Sequence, residues 1–446
     1  MAYAADDPVP VTEDGLFGAP EEALFGASED DLFSFDEDSL FGGDLLIEVD
    51  DPGGQALEEV FLVRDRIDAG GTYRAALAWS RMTGEDGQEL WSGLSLTAGG
   101  SLYVDARPRR DFRAFAKLKG SGAWREGAGD ADVTAALHEL FVDVDHKDRA
   151  FFRIGKQTVT WGVGYFFSPA DVINVGRINP EDPEAEREGP VAVRLHVPAG
   201  RTNWYGFLLV DGGSGDGYRV ALAPKAEFVL GRSEVGVGLY YREDRAPRAM
   251  ATLSTSVGPV ALFGELVVSK GSDKRLVRET VPSPLNPWGV ETYVDRETLF
   301  THVTAGARYT YSDPDGRFRT TGAAQLYYNG EGYDGPFLEK HGLKLPVLAA
   351  LGRLRAGDLE NRGRLYGALL LTGSHQRLKD VGASVLWLGN LSDGSGVVTF
   401  SVDYSGWKYL KPSVSYGLLY GDPGSEWAPP GRASQWLLSV GVSGSF

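Results

Sequence analysis

The chain has 446 residues, 59 glycines, no cysteine and a formal charge of −18. Without cysteine there is no disulfide framework, thiolate zinc site or cysteine nucleophile. No run approaches the roughly 18 apolar residues of a membrane-spanning helix. Residues 1–60 hold 18 acids and no Lys or Arg, which leaves 44 acids and 44 bases in the rest of the chain. An acidic tail therefore precedes a neutral body with no basic stripe, and nucleic acid is not an expected partner.

The tail comes first. Ala2-Tyr3-Ala4 has the small-x-small form of a signal-peptidase site, with Ala5-Asp6-Asp7 as the expected mature start. The charged and apolar parts of a signal peptide do not precede it, so a processed chain is the reading. Leu16-Phe17-Gly18, Leu24-Phe25-Gly26, Leu32-Phe33-Ser34 and Leu40-Phe41-Gly42 then recur every eight residues, each preceded by acids. On an α-helix a step of eight rotates each pair by roughly 80°, so no single face forms. The residues between cannot bury a core, and free disorder is expected. Extended, the pairs lie about 26 Å apart. Weak single sites would then sum through effective concentration on a repeated or oligomeric receptor. The bland alternative is a solvated acidic leader whose repeats arose by duplication. The docking reading assigns Leu16, Phe17, Leu24, Phe25, Leu32, Phe33, Leu40 and Phe41 to a partner surface.

From about residue 71 the pattern has period two. Candidate strands cover 71–81, 91–106, 111–121, 134–145, 149–160, 189–197, 201–210, 217–230, 233–242, 247–257, 259–270, 298–312, 318–330, 364–375, 380–389, 396–405, 410–421 and 434–446. Many are 10–14 residues long, enough for a tilted strand to cross a bilayer. Their polar faces are rich in Gly, Ser and Thr, as a packed or wet barrel interior would be. Aromatics such as Tyr240, Tyr241, Tyr404 and Trp407 sit at strand ends, where a membrane interface would want them. The connections alternate between tight turns and longer loops, the layout of an outer-membrane barrel. A soluble sandwich or propeller explains the alternation, but not the strand lengths and loop asymmetry together. The expected fold is all-β: a transmembrane antiparallel up-and-down β-barrel of 16–18 strands over 71–446, with a disordered tail over 1–60. The last strand ends, and the first strand starts, on the short-turn side, which places the tail in the periplasm.

Three segments carry the candidate site. The third long loop, 161–188, opens with Trp161-Gly162-Val163-Gly164, continues through Tyr165, Phe166 and Phe167, and turns acidic at Glu181, Asp182, Glu184, Glu186 and Glu188. Inferred inner faces carry Arg113, Lys117, Glu139, Asp143, Arg153, Arg194, Arg219, Lys225, Glu227, Glu234, Arg242, Glu265, Arg308 and Asp403. Mixed signs suit either a water-filled passage or cross-lumen ion pairs, and predict weak ion selectivity. Residues 343–360 break the alternation. Pro346 could open a helix with Val347, Leu348, Leu351 and Leu354 on one stripe, covering the rim or capping the pore. The six histidines show no metal-ligand spacing, and His302, on an inward face, is the most suggestive of them. No catalytic residue, metal site or cofactor is expected.

The terminal strand, from Trp436 to a final Phe446, resembles the assembly signature of Gram-negative outer-membrane proteins. That implies recognition by the barrel-assembly machinery. Gly155-Lys156-Gln157, Trp161-Gly162 and Asp171-Val172-Ile173-Asn174 together are similar to a G-R-Q-x-x-x-W-G…D-x-I-N-P pattern. It occurs in a poorly characterised family of outer-membrane proteins, some of them associated with RND-type lipid exporters. This chain departs from it at Lys156 and Val175. By resemblance to porins, whose third outside loop folds inward, the constriction candidates are Trp161, Tyr165, Phe166, Phe167, Asp171 and Asn174. Two functions are expected. One is an outer-membrane transport component, surrounded by outer-membrane lipid, whose residues 10–45 dock a periplasmic or inner-membrane transport protein for lipid or other export traffic. The other is a general diffusion porin for small hydrophilic solutes with a non-essential leader.

Overall fold

The computed structural model describes residues 67–446 apart from 85, 128, 214–216, 285, 315–317, 376–377 and 429–433. The Leu-Phe motifs, at 16–41, lie outside the described residues.

Eighteen strands form one antiparallel sheet. They are β1 (Ile67–Thr83), β2 (Glu89–Arg109), β3 (Phe112–Arg125), β4 (Asp132–His146), β5 (Ala150–Lys156), β6 (Val191–Ala199), β7 (Thr202–Gly213), β8 (Gly217–Leu230), β9 (Ser233–Arg242), β10 (Arg248–Val257), β11 (Val260–Lys270), β14 (Leu299–Ser312), β15 (Phe318–Asn329), β16 (Leu365–His375), β17 (Leu378–Asn390), β18 (Ser395–Tyr404), β19 (Lys411–Tyr420) and β20 (Ser434–Ser445). Between β11 and β14 lies a separate hairpin of β12 (Leu276–Glu279) and β13 (Val290–Tyr293). β1 pairs with β20 from Thr72 opposite Ser445 to Thr83 opposite Ser434. This seam closes the barrel. The seam's end is tied in: Phe446 and Gly71 exchange two backbone hydrogen bonds of 3.0 Å.

Alternation decides which side chains face where. In β20, Leu438 and Val440 are exposed while Leu437 and Ser439 are buried; in β1, Leu77 and Trp79 are exposed while Ala78 and Ser80 are buried. Exposed Leu102, Leu118, Leu222, Leu266, Leu326 and Phe400 continue the apolar outer surface round the barrel. A contiguous apolar belt of this kind is far larger than a soluble monomer carries and is the lipid-facing surface of a transmembrane barrel. The turns at one end are tight: Gly231 (φ 68°) and Gly258 (φ 60°) supply the left-handed residue that a two-residue hairpin connection needs.

Two sequence expectations need correction. The strand expected over 149–160 ends at Lys156, because the chain turns into the barrel at Gln157. After α1 (Gly335–His341), the helix expected over 343–360 is broken into α2 (Lys344–Ala350) and α3 (Ala356–Leu359). Pro346 falls in the first turn of α2, where its missing N–H is harmless. Of the expected stripe, Leu348 and Leu354 are buried but Val347 and Leu351 are exposed; Leu345 takes their place. These helices pack against the β12–β13 hairpin through Val277, Val290, Leu338, Leu345, Leu348 and Leu354. The result is a small second core over the long-loop end of the barrel.

Candidate functional site

The segment 157–190, hereafter L3, joins β5 to β6 and lies inside the barrel. Its inward turn is built locally. Gly155 sits at φ 134°, and a Cβ there would overlap the Leu140 carbonyl oxygen of β4. The backbone N–H of Gln157 donates to Pro190 O at 3.1 Å, and its buried amide donates to Ala192 O at 3.2 Å. These two bonds clamp the ends of the loop together. Lys156 donates to Leu137 O at 2.7 Å and pairs with Glu188 at 2.6 Å. Asn174 closes a second ring: its Oδ1 accepts from Val159 N at 3.0 Å, and its Nδ2 donates to Val159 O at 2.6 Å and Asp171 Oδ1 at 2.8 Å. Asp171 also pairs with Arg187. The spaced residues singled out above, from Gly155 to Asn174, thus form one inward bend.

The loop is then anchored to the opposite wall. Glu265 of β11 accepts four hydrogen bonds. Val163 N, Gly164 N and Ser168 Oγ reach Oε1 at 2.6, 2.6 and 2.8 Å, and Ala170 N reaches Oε2 at 2.8 Å. A run of backbone N–H groups converging on one carboxylate is an anion nest, closed here by the protein's own side chain. Gln325 of β15 accepts from Phe166 N at 2.7 Å and donates to Phe167 O at 2.6 Å. Trp161 is fully buried, edge-on to Phe207 at 5.1 Å, and its carbonyl accepts from Lys225 at 2.9 Å. Phe167 stacks on Tyr327 at 5.3 Å.

Two apolar clusters result. One joins Trp161, Ala170 and Ile173 to Phe207, Tyr240 and Val267; the other joins Phe166 and Phe167 to Tyr327, Tyr366, Leu388 and Leu437. Farther along, Asp182 reaches Arg74 of β1 at 3.8 Å and Glu186 pairs with Lys117 of β3. L3 therefore touches walls on several sides and crosses the lumen. Tyr165 packs at the edge of the second cluster. Burial raises the carboxyl pKa of Glu181 to about 7 and of Asp171 to about 6, the latter against the opposing pull of Arg187.

The inner-face charges occupy the wall around L3. Arg153 holds Asp143 bidentately at 2.6 and 2.9 Å. Glu227 pairs with Lys225 at 2.7 Å. Arg219 pairs with Asp244. Glu234 and Arg308 lie on the inner faces of β9 and β14. His302 faces inward, with Nδ1 3.3 Å from Tyr327 Oη. Among the described residues no cluster of three or more His, Asp or Glu could hold a metal ion. Sequence reasoning singled out Gln157 only as part of the Gly155-Lys156-Gln157 motif, and missed Gln325 and Tyr366, which tie down L3 or the rim. Nothing in a single Gln or Tyr on an alternating strand marks it out. Trp436 packs edge-on to Trp79 at 5.0 Å, on the outer side of the seam, and Phe446 is exposed.

On the long-loop side of L3 lies a cavity of about 660 Å³. Arg219, Arg242, Arg245 and Arg248 line one side of it. Asp244 bridges Arg219 and Arg242, and Asp273 bridges Arg245 and Arg248. Hydrogen bonding to Arg242, with Arg219 adding to it, holds the Asp244 carboxyl well below the usual range.

No family model and no curated protein matches the sequence. Solved structures with a similar barrel include Acinetobacter baumannii OccAB1 (TM-score 0.48, 10% identity, 85% of this chain and 97% of that one). Pseudomonas aeruginosa OccK5 (OpdH) gives a TM-score of 0.46 at 9% identity, with 85% and 98% covered. Salmonella typhi OmpF gives 0.41 at 10% identity, with 85% and 97% covered. The likeness is one of barrel form.

Proposed function

We propose that the protein is a transport barrel of the bacterial outer membrane whose passage is controlled by L3. Trp161, Tyr165, Phe166, Phe167, Asp171 and Asn174 form the constriction. The supporting observation is the Glu265 clasp, because a loop held by four hydrogen bonds to one wall carboxylate is a fixed obstruction. In this reading the short-turn end, where β1 starts, faces the periplasm, and the acidic tail docks a periplasmic or inner-membrane transport protein through its Leu-Phe pairs.

Planar-bilayer recording tests the control by L3. Full-length protein is expected to show little steady conductance, and the double variant E265A/Q325A several-fold more. Large steady conductance that the double variant leaves unchanged would favour the second reading, a general diffusion porin, which the polar inner faces of the strands support. For the tail, a peptide of residues 10–45 should recover a periplasmic or inner-membrane protein that the same peptide with Phe17, Phe25, Phe33 and Phe41 changed to Ala does not. Equal recovery by both peptides would remove the motif reading.

A further inference from the structure

The barrel wall has a gap, and the arginine-lined cavity opens behind it. β5 and β6 end at Lys156 and Val191, which pair with each other. On one side, β4 runs on: Lys156 is opposite Leu140, and among the described residues 132–139 pair with β3 alone. On the other side, Val191 is opposite Val210, and residues 211–213 of β7 continue against β8 alone. Among the described residues, for several positions nothing in the sheet fills the space between β4 and β7, because L3 has left the wall.

The depth of the gap matters. On β3 the outward aromatic Trp124 lies one step beyond the Ala123–Asp132 pair. An outward Trp at a strand end marks the membrane interface. The unpaired part of β4 therefore lies on the membrane side of that mark. Asp132 to Leu137 are all exposed, inward-facing Thr134 and Ala136 included, so no packed interior stands behind them. An open sheet edge at membrane depth is tolerated only where it borders a polar, hydrated space. Here the edge is partly capped from across the gap: Lys156 donates to Leu137 O, and Thr158 N donates to Glu139 Oε1 at 3.0 Å.

The lining is amphipathic. Lys156, Val191 and Val210 are outward-facing by register, whereas Arg219, Tyr240 and Arg242 are inward-facing, yet all six line the same cavity. The cavity thus passes over the rim of β5 and β6 from lumen to outer wall. The Lys156–Glu188 ion pair at that rim would be a costly ornament on a wall that meets only lipid tails. Inside, each of two aspartates holds two guanidinium groups toward one space, which fits a carboxylate or phosphate. The volume is typical of a ligand pocket.

We propose that the gap is a lateral portal and that the cavity behind it binds a long-chain anionic amphiphile. The headgroup sits among Arg219, Arg242, Arg245 and Arg248, and the acyl chain runs past Leu209, Val210 and Val191 toward the bilayer. This names a substrate class for the transport reading and rests on it, but the site's occupancy can be read without measuring transport.

The test is photo-crosslinking of full-length protein in nanodiscs with palmitate carrying a mid-chain diazirine, followed by peptide mapping. Labelling is expected on 133–140, 186–192 and 207–211, and excess palmitate should compete it away. Butyrate, which lacks the chain, and palmityl alcohol, which lacks the charge, should not compete. R242Q/R248Q should weaken palmitate competition about tenfold, equivalent to one strong interaction. V191W, which narrows the rim, should lower labelling while leaving the Asp244 and Asp273 clusters intact. Heat-modifiable gel mobility confirms that each variant is folded. The proposal is overturned by labelling spread over the outer wall and independent of the arginines, by equal competition from butyrate or palmityl alcohol, or by no competed labelling. None of these outcomes depends on whether E265A/Q325A raises conductance.

Discussion

At the scale of single residues, Glu265 is the side chain on which the placement of L3 turns. Its replacement by Ala leaves three backbone N–H groups and the Ser168 hydroxyl without their acceptor, each costing about 1–3 kcal/mol if it stays buried. The loop should relax toward water, so E265A is expected to expose Arg177 and Arg187 to trypsin under conditions where the parent chain resists. Glu265→Gln keeps one acceptor oxygen and should be cleaved more slowly than E265A; equal rates would mean that the clasp does not hold the loop. Two acids give L3 a pH response. Docking raises Glu181 from its ordinary 4.5 to about 7 and Asp171 from 3.8 to about 6, in both cases through burial. The docked loop therefore binds protons more tightly than the released one. Its stability is fully present below about pH 4 and falls as pH rises through 7. Conductance is expected to rise from pH 5 to pH 8, and E181Q should flatten most of that rise. A conductance that falls over the same range would reverse the assignment.

At the scale of elements, the short strand β5 is the unusual one. The residues after it, Gln157-Thr158-Val159-Thr160, have the β-branched alternation of a strand, and a sequence reading carries the strand through them. What overrides that pattern is the left-handed Gly155 and the Gln157 clamp, whose partners, Leu140, Pro190 and Ala192, are distant in sequence. Gly155→Ala should cost about 1–3 kcal/mol for the strained backbone alone, and more where the new Cβ meets Leu140. The measurement is the temperature at which the folded band is lost on a gel. Gly357→Ala in α3 meets open space and should leave that temperature unchanged.

The same division explains what was legible. Strands follow from local alternation, so the eighteen wall elements could be read within a few residues. The charges on their inner faces could be read too, since parity alone assigns them. The anchoring of Val163 and Phe166 could not, because Glu265 and Gln325 lie 102 and 159 residues away. The broken helix was misjudged because Leu351-Gly352 ends α2 within it and resets the face that is buried.

At the scale of the whole molecule, the seam between β1 and β20 decides whether the wall exists at all. Removal of Phe446 deletes the pair of backbone bonds with Gly71 and is expected to lower the amount of assembled barrel in cells several-fold, read as the heat-modifiable band. Phe446→Tyr keeps the backbone bonds and the ring, and should assemble normally. The position of L3 bears on this event. Phe166 and Phe167 pack in one cluster with Ala78 of the first strand and Leu437 of the last, while the loop end carrying Asp182 meets Arg74 of β1. The first and last strands are thus both fitted to a loop that lies between β5 and β6. In the finished barrel L3 stands as a post between the first and last strands and touches both. A barrel without the post would have to find its seam by diffusion of two free edges, so deletion of L3 is expected to slow the closing of the wall, read as the rate at which the heat-modifiable band appears.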